Sequence, residues 1–284
     1  SKTNVDDFYY VFDPVAGNNA SWDEGLGVSI PALSLNGNIQ SFQGFWVKAN
    51  AAAPTMSVEE GDKVLDLNGG GLFGGSEQGP QPMFRVELSS GINAFFDETL
   101  IHFGTGAPAS GDAHDLVKFT FSHPDAPQIM SRTADGADMT LNAWGPITTA
   151  TEIPVAIDVA ITGDYTLRIF DAMGLMGMSC LVLEDLFTGQ SIALSEGSTY
   201  TFPADEATPA EPARFLVHAS APVQYSYTDV ACNGGTTGMA SALGEGTGPW
   251  DYTWMDENGT VLLEQLQLNG TGQFTDLPAG DYQV

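Results

Sequence analysis

Four histidines, His102, His114, His123 and His218, are where metal or acid–base chemistry would first be sought. None belongs to an H-E-x-x-H or H-x-H arrangement, the spacings that bring two imidazoles to one metal. His102 and His218 fall in apolar, strand-like runs and read as structural side chains. His114 sits in Asp112-Ala-His114-Asp115, a compact group of ligand types that needs a further strong donor from elsewhere to hold zinc. No G-x-S-x-G run presents a nucleophilic serine, and Ser179 precedes Cys180 inside a strand-like run. Glycoside hydrolysis needs two carboxylates facing each other across a cleft. With 36 acids a pair can always be drawn, so composition says nothing there. The adjacent Glu184 and Asp185 would face opposite sides of a strand. They read as a strand end and turn, with Asp185 bonding local backbone.

Acid-rich loops suit calcium better, because it takes carboxylate and carbonyl oxygens from flexible segments. The candidate metal ligands are Asp112 with Asp115, and Asp135 with Asp138 in Thr133-Ala-Asp135-Gly-Ala-Asp138. Neither pair belongs to a twelve-residue EF-hand loop, and Asp135-Gly136 also reads as a plain hairpin turn. Among the five tryptophans, Trp22 lies in the polar stretch Asn18–Glu24, which reads as a loop. It is the candidate for stacking on a sugar. Trp250, Tyr252 and Trp254 alternate, so they share one strand face, and that face reads as core.

The elements that would position these residues are strands. No window carries a helical apolar stripe, whereas short β-rich runs are separated by Gly, Asn, Asp and Pro. The best runs are Phe8–Phe12, Phe42–Ala49, Met83–Leu88, Thr99–Phe103, Leu116–Phe121, Ile129–Arg132, Met139–Ala143, Ile153–Ile161, Tyr165–Phe170, Ser179–Glu184, Ser191–Leu194, Thr199–Phe202 and Arg214–His218. Thr162-Gly163-Asp164 reads as a hairpin loop between two of them. The spacing predicts an all-β protein, an antiparallel, jelly-roll-like β-sandwich. Asn68–Pro82 and Pro203–Pro212 read as loops. The texture changes after Ala221-Pro222, dividing the chain into a β-sandwich domain (1–224) and a partial Ig-like β-domain (225–284). In the latter, Met239–Leu243, Tyr252–Met255, Val261–Leu266 and Gln273–Asp276 read as strands, with turns at Asn258-Gly259 and Asn269-Gly270.

The chain has 284 residues, 8 Lys and Arg against 36 Asp and Glu, a formal charge of −28, and 43% hydrophobic residues. That apolar share builds a real core and excludes an acidic disordered tail. So few cations argue against nucleic acid or an anionic membrane as partner. Apolar runs such as Val155–Ile161 are far shorter than the ~20 residues that span a bilayer, so no direct membrane insertion is expected. Cys180 and Cys232 allow at most one internal bridge. The chain opens at Ser1 and closes on a strand-like Gly280–Val284, and we expect it to be a segment of a longer protein.

The ordered motifs resemble a family. Gln43-Gly-Phe-Trp-Val-Lys-Ala49 resembles the "QGFFVKA" strand of large exported proteins of Bacteroidota carried by the type IX secretion system. Asp97-Glu98-Thr-Leu-Ile101-His-Phe103 is similar to their "DE-x-x-I-x-F" segment. Asp112, Asp115 and Lys118 resemble "D-x-x-D-x-x-K", Leu183–Gly189 resembles "LEDLxTG", and Tyr200-Thr-Phe202 with Arg214-Phe215 resembles "YxF…RF". Cys232–Gly235, Gly248–Trp254 and Leu277–Tyr282 resemble the immunoglobulin-like repeats of gliding-motility adhesins. The resemblance implies an extracellular or cell-surface location and neighbouring domains of one long chain, or other surface proteins, as partners. The expected role is a non-enzymatic structural or adhesive segment, calcium-stabilised and able to enter a filament. The alternative is a carbohydrate-binding module of a secreted polysaccharide-degrading protein, with glycans as ligand; a hydrolase is the third class.

Overall fold

The computed structural model describes residues 1–32, 34–63, 82–104, 106–120, 122–147, 150–175, 180–208, 210, 212–220, 223–232, 234–244 and 248–284, with only the backbone of Met173. The segments 68–81 and 176–179, read above as a loop and a strand start, lie outside the described residues, as does Phe121. The chain is all-β. Its N-terminal strands are β1 (Lys2–Thr3), β2 (Val5–Asp13), β3 (Asn18–Asp23), β4 (Val28–Ile30), β5 (Trp46–Ala49) and β6 (Thr55–Met56). Next come β7 (Met83–Ser90), β8 (Phe96–Phe103), β9 (Leu116–Val117), β10 (Gln128–Arg132), β11 (Asp138–Trp144) and β12 (Thr151–Asp158). They are followed by β13 (Gly163–Phe170), β14 (Cys180–Asp185), β15 (Gln190–Ala193), β16 (Thr199–Ala204) and β17 (Phe215–Ser220). The last are β18 (Gln224–Thr228), β19 (Gly238–Leu243), β20 (Trp250–Asp256), β21 (Val261–Leu268), β22 (Gly272–Leu277) and β23 (Tyr282–Gln283).

Two compact units emerge. The first runs to His218; the second gathers Ala219–Val284 with short stretches around Thr151 and Cys180. In the first, β7–β17 form one sheet ordered β15-β14-β17-β12-β10-β11-β8-β7-β13-β16, with β9 on β11. The sheet folds back on itself into a sandwich: Phe202 on β16 meets Phe215 on β17, ring centroids 5.0 Å apart. Alternation supplies the core. Phe84, Val86 and Leu88 of β7, Ile153, Val155 and Ile157 of β12, and Leu167 and Ile169 of β13 are all buried. A second layer covers one outer face. Sheet β4-β3-β2-β5 lays Phe8, Tyr10 and Ile30 on Leu100, Leu116 and Leu141.

Four details differ from the sequence expectation. Asn18–Asp23 is a strand, antiparallel to β2, because its polar side chains find buried partners: the Asn18 amide donates to Phe96 O at 2.9 Å and Pro127 O at 3.1 Å. Thr162-Gly163-Asp164 is not a hairpin loop: Gly163 and Asp164 already belong to β13, and the connection from β12 ends at Thr162. β12 lies between β17 and β10, and β13 between β7 and β16, so that loop crosses from one half of the sandwich to the other. The sheet is also not wholly antiparallel: β8 and β11 run parallel, Leu100 opposite Leu141. The division read between residues 224 and 225 falls inside strand β18 (Gln224–Thr228), which pairs with β19. Cys180 and Cys232 are both free and exposed.

In the second unit two three-stranded sheets, β18-β19-β22 and β21-β20-β23, enclose Tyr252 and Trp254 with Phe274 and Leu263. The alternating aromatics of β20 therefore do face a core.

Candidate functional site

On the outer face of the N-terminal sheet, pairing brings aromatics together. Tyr9 is opposite Trp22 of β3 on one side and Val47 of β5 on the other. The run Phe8-Tyr9-Tyr10 explains this: Phe8 and Tyr10 point into the core, so Tyr9 must point out. Phe45 stands edge-on to Tyr9, centroids 6.4 Å apart. These residues with Ile39 line a cleft of about 450 Å³, rimmed by Asp6, Asp7, Glu24 and Asp62. The Tyr9 hydroxyl is buried with no hydrogen-bond partner among the described residues, and burial pushes its phenol up to about 12. Gly37, at φ +85°, passes so close to Trp22 that a Cβ there would stand 3.0 Å from Cζ2; only glycine fits. The predicted sugar-stacking residue is thus a strand residue, partly covered on one edge, and it lines a cleft with Tyr9 and Phe45.

Of the four aspartates read as metal ligands, Asp112, Asp115 and Asp135 sit on two adjacent loops, joined by Gly111 N–H donating to Asp135 Oδ1 at 3.1 Å, and Asp138 opens β11. Asp115 is buried and accepts the amides of Ala143 at 2.7 Å and Asp112 at 2.8 Å. Asp138 pairs with Arg132 at 2.7 Å. Asp135 also accepts the Thr133 hydroxyl at 2.6 Å, inside a turn closed by Gly136 at φ +86°. Asp112 faces the His114 ring at 3.0 Å. Among the described residues no group of three or more His, Cys, Asp and Glu is arranged to hold a metal ion.

Sequence reasoning missed the ion pairs. Lys118 and Asp97 form one whose side chains are 4% and 2% exposed; Asp97 also accepts the Ile129 amide at 2.7 Å. Arg85 pairs with buried Glu98 and, at 2.7 Å, with Asp171, and donates to Ser29 O at 2.7 Å. Arg214 pairs with fully buried Asp185 at 2.9 Å, its guanidinium 4.3 Å above the Phe202 ring. Tyr200 donates to the same carboxylate at 2.9 Å, and the Phe187 amide caps it at 2.9 Å. Burial pushes Asp97 and Glu98 up, against the pull of Lys118 and Arg85. For Asp185 burial also pushes up, but Arg214, Phe187 and Tyr200 outweigh it and hold the carboxyl below its ordinary value. The signal was present: Arg85, Lys118 and Arg214 each interrupt or begin an apolar run, where a charge survives burial only if paired. All eight Lys and Arg side chains are ion-paired, Lys48 with Asp6 at 3.7 Å being the longest pair.

His218, between Glu184 at 2.9 Å and Glu152 at 3.6 Å, lies on the sandwich's outer face. His102 is buried with Nδ1 unpartnered among the described residues, and burial, with the nearby His114, pulls its pKa down.

No protein-family model, curated protein or solved structure matches the chain. No helix among the described residues is long and apolar enough to cross a membrane.

Proposed function

We propose that this chain is a non-enzymatic structural and adhesive segment of an extracellular or cell-surface protein, working beside neighbouring domains of the same chain or other surface proteins. The observation that carries the reading is the set of buried ion pairs. Asp97–Lys118, Glu98–Arg85 and Asp185–Arg214 each tie one strand or strand end to another, and all of these residues but Arg85 belong to the motifs that resemble the exported Bacteroidota proteins. Such pairs add little net stability, but breaking one by removing a partner is costly. They suit a body that must hold one shape under load. The test is mechanical unfolding of the full chain. Wild type should yield at a higher force than Asp185→Asn. Equal forces would remove the load-bearing role, and turnover in a screen of polysaccharides and peptides would overturn the non-enzymatic part.

The cleft of Tyr9, Trp22 and Phe45 favours a second reading, a carbohydrate-binding module, because aromatic faces stack on sugar rings and a buried hydroxyl awaits a polar partner. Glycan-array binding that saturates in the wild type and is lost in Trp22→Ala would select it.

A further inference from the structure

The strap between β4 and β5 divides two clefts. Gly25–Val47, which contains it, holds no charged residue, in a chain with 36 Asp and Glu. Along the strap Gly37 and Ile39 line the aromatic cleft, while Asn36, Asn38 and Gln40 line a second cleft of about 440 Å³. Gln43 lines this second cleft too, and Phe12, Val15 and Phe96 supply apolar wall. Asp13 is the one charged residue of the lining among the described residues. Its carboxylate is already engaged. Oδ1 accepts the Val15 and Ala16 amides at 2.8 and 3.3 Å, and Oδ2 accepts the Ser34 hydroxyl at 3.0 Å, which fixes the strap to the end of β2. The side chains of Asn38, Gln40 and Gln43 make no hydrogen bond among the described residues.

A carboxamide carries two N–H donors and an acceptor oxygen, and a hydroxyl likewise both donates and accepts. Carboxamides set beside apolar side chains therefore suit a ligand with many hydroxyls and an apolar C–H face, and the volume is that of a small-molecule site. Charge narrows the class. No cation lines the cleft to neutralise an anionic ligand, and a chain with a charge of −28 repels one. Asp13 commits three of its roughly four acceptor positions to the wall, which leaves little for a cationic ligand. We propose that this second cleft binds an uncharged saccharide, with its hydroxyls on the carboxamides of Asn38, Gln40 and Gln43 and its C–H face on Phe12, Val15 and Phe96. The inference goes beyond the carbohydrate reading of the cleft of Tyr9, Trp22 and Phe45: the two sites lie on opposite sides of the strap, and either can hold without the other.

The test titrates the full chain with neutral trisaccharides of glucose, mannose, galactose, xylose and N-acetylglucosamine, and follows the side-chain amide signals of Asn and Gln by NMR. Trigalacturonate and the chitosan trimer are the anionic and cationic controls. At least one neutral trisaccharide should bind saturably and shift the signals of Asn38, Gln40 and Gln43, and the two charged ones should not. The double variant Gln40→Ala/Gln43→Ala should weaken binding about tenfold or more. Both side chains are exposed, so its thermal midpoint should stay as in the wild type. Tyr9→Phe removes the unpartnered hydroxyl of the other cleft and should leave this binding unchanged. No saturable binding by any neutral trisaccharide would overturn the proposal, and so would binding that the double variant keeps at full strength. Binding lost in Tyr9→Phe but kept in the double variant would assign the sugar to the aromatic cleft instead. A charged trisaccharide that binds as tightly as the neutral ones would overturn the uncharged class.

Discussion

Asp185 concentrates the chemistry of the sandwich in one carboxylate. It takes two bonds from Arg214, at 2.9 and 3.3 Å, one from Tyr200 and one from the Phe187 amide, with no exposed surface. Asp185→Asn leaves Arg214 buried among Phe202, Phe215 and Phe187 without its counter-charge. Removing one partner of such a pair costs about 3–5 kcal/mol, and urea unfolding at pH 7 should show a loss of that order. The pH dependence has a definite sign. The folded carboxyl lies below its ordinary value, so the unfolded chain takes up the proton first as pH falls. The contribution is complete above the unfolded value, near 3.9, and is lost as pH falls through the folded one. The gap between wild type and variant should therefore shrink on acidification below about pH 4. A gap that stays constant to pH 2 would assign the loss to packing rather than charge.

Lys118 does for elements what Arg214 does for a residue cluster. It follows the two-residue strand β9 and reaches Asp97 at the start of β8, while Asp97 also holds the start of strand β10 through the Ile129 amide. Lys118→Met alone leaves a buried, unpaired carboxylate and should destabilise by about 3–5 kcal/mol; Lys118→Met with Asp97→Leu should recover part of that loss, because the apolar pair has no charge to desolvate, while the Ile129 amide, left without its acceptor, keeps about 1–3 kcal/mol of it. Denaturant midpoints of the two single variants and the double variant check this, and simple additivity would show that the pair is not coupled. The same region marks how far sequence pattern reaches. Strands β7, β11 and β13 are legible because their apolar residues alternate, and β8 because Leu100, Ile101 and Phe103 form a short apolar run. β3 is not, since Asn18, Asn19, Ser21 and Asp23 are buried polar side chains, and the partners of Asn18 and Asn19 come from far along the chain. Neighbour order is likewise hidden: a Gly-bearing loop at Thr162–Asp164 looks local, but the strands it joins lie in opposite halves of the sheet. Of the aromatic cleft only Trp22 was legible. Tyr9 and Phe45 join it through the β2–β3 and β2–β5 registers, which no local spacing encodes.

Across the whole chain the charges are unevenly placed, and that carries the last prediction. Every Lys and Arg lies between Lys2 and Arg214, and each is paired. The second unit has only acids, so nothing within Ala219–Val284 offsets their mutual repulsion. Screening shortens from about 10 Å at 0.1 M salt to about 3 Å at 1 M, and relief of repulsion should therefore be greater, residue for residue, in that unit. Raising NaCl over this range should slow amide exchange in β18–β23 more than in β7–β17, where buried pairs are screened little. Millimolar Mg²⁺ and Ca²⁺ should act alike if they only screen. An excess protection with Ca²⁺ confined to the loops of Asp112 and Asp135 would instead mark a bound ion there. If the sandwich gained as much from NaCl as the second unit, the repulsion would belong to the surface at large, and the division of charge along the chain would have no energetic consequence.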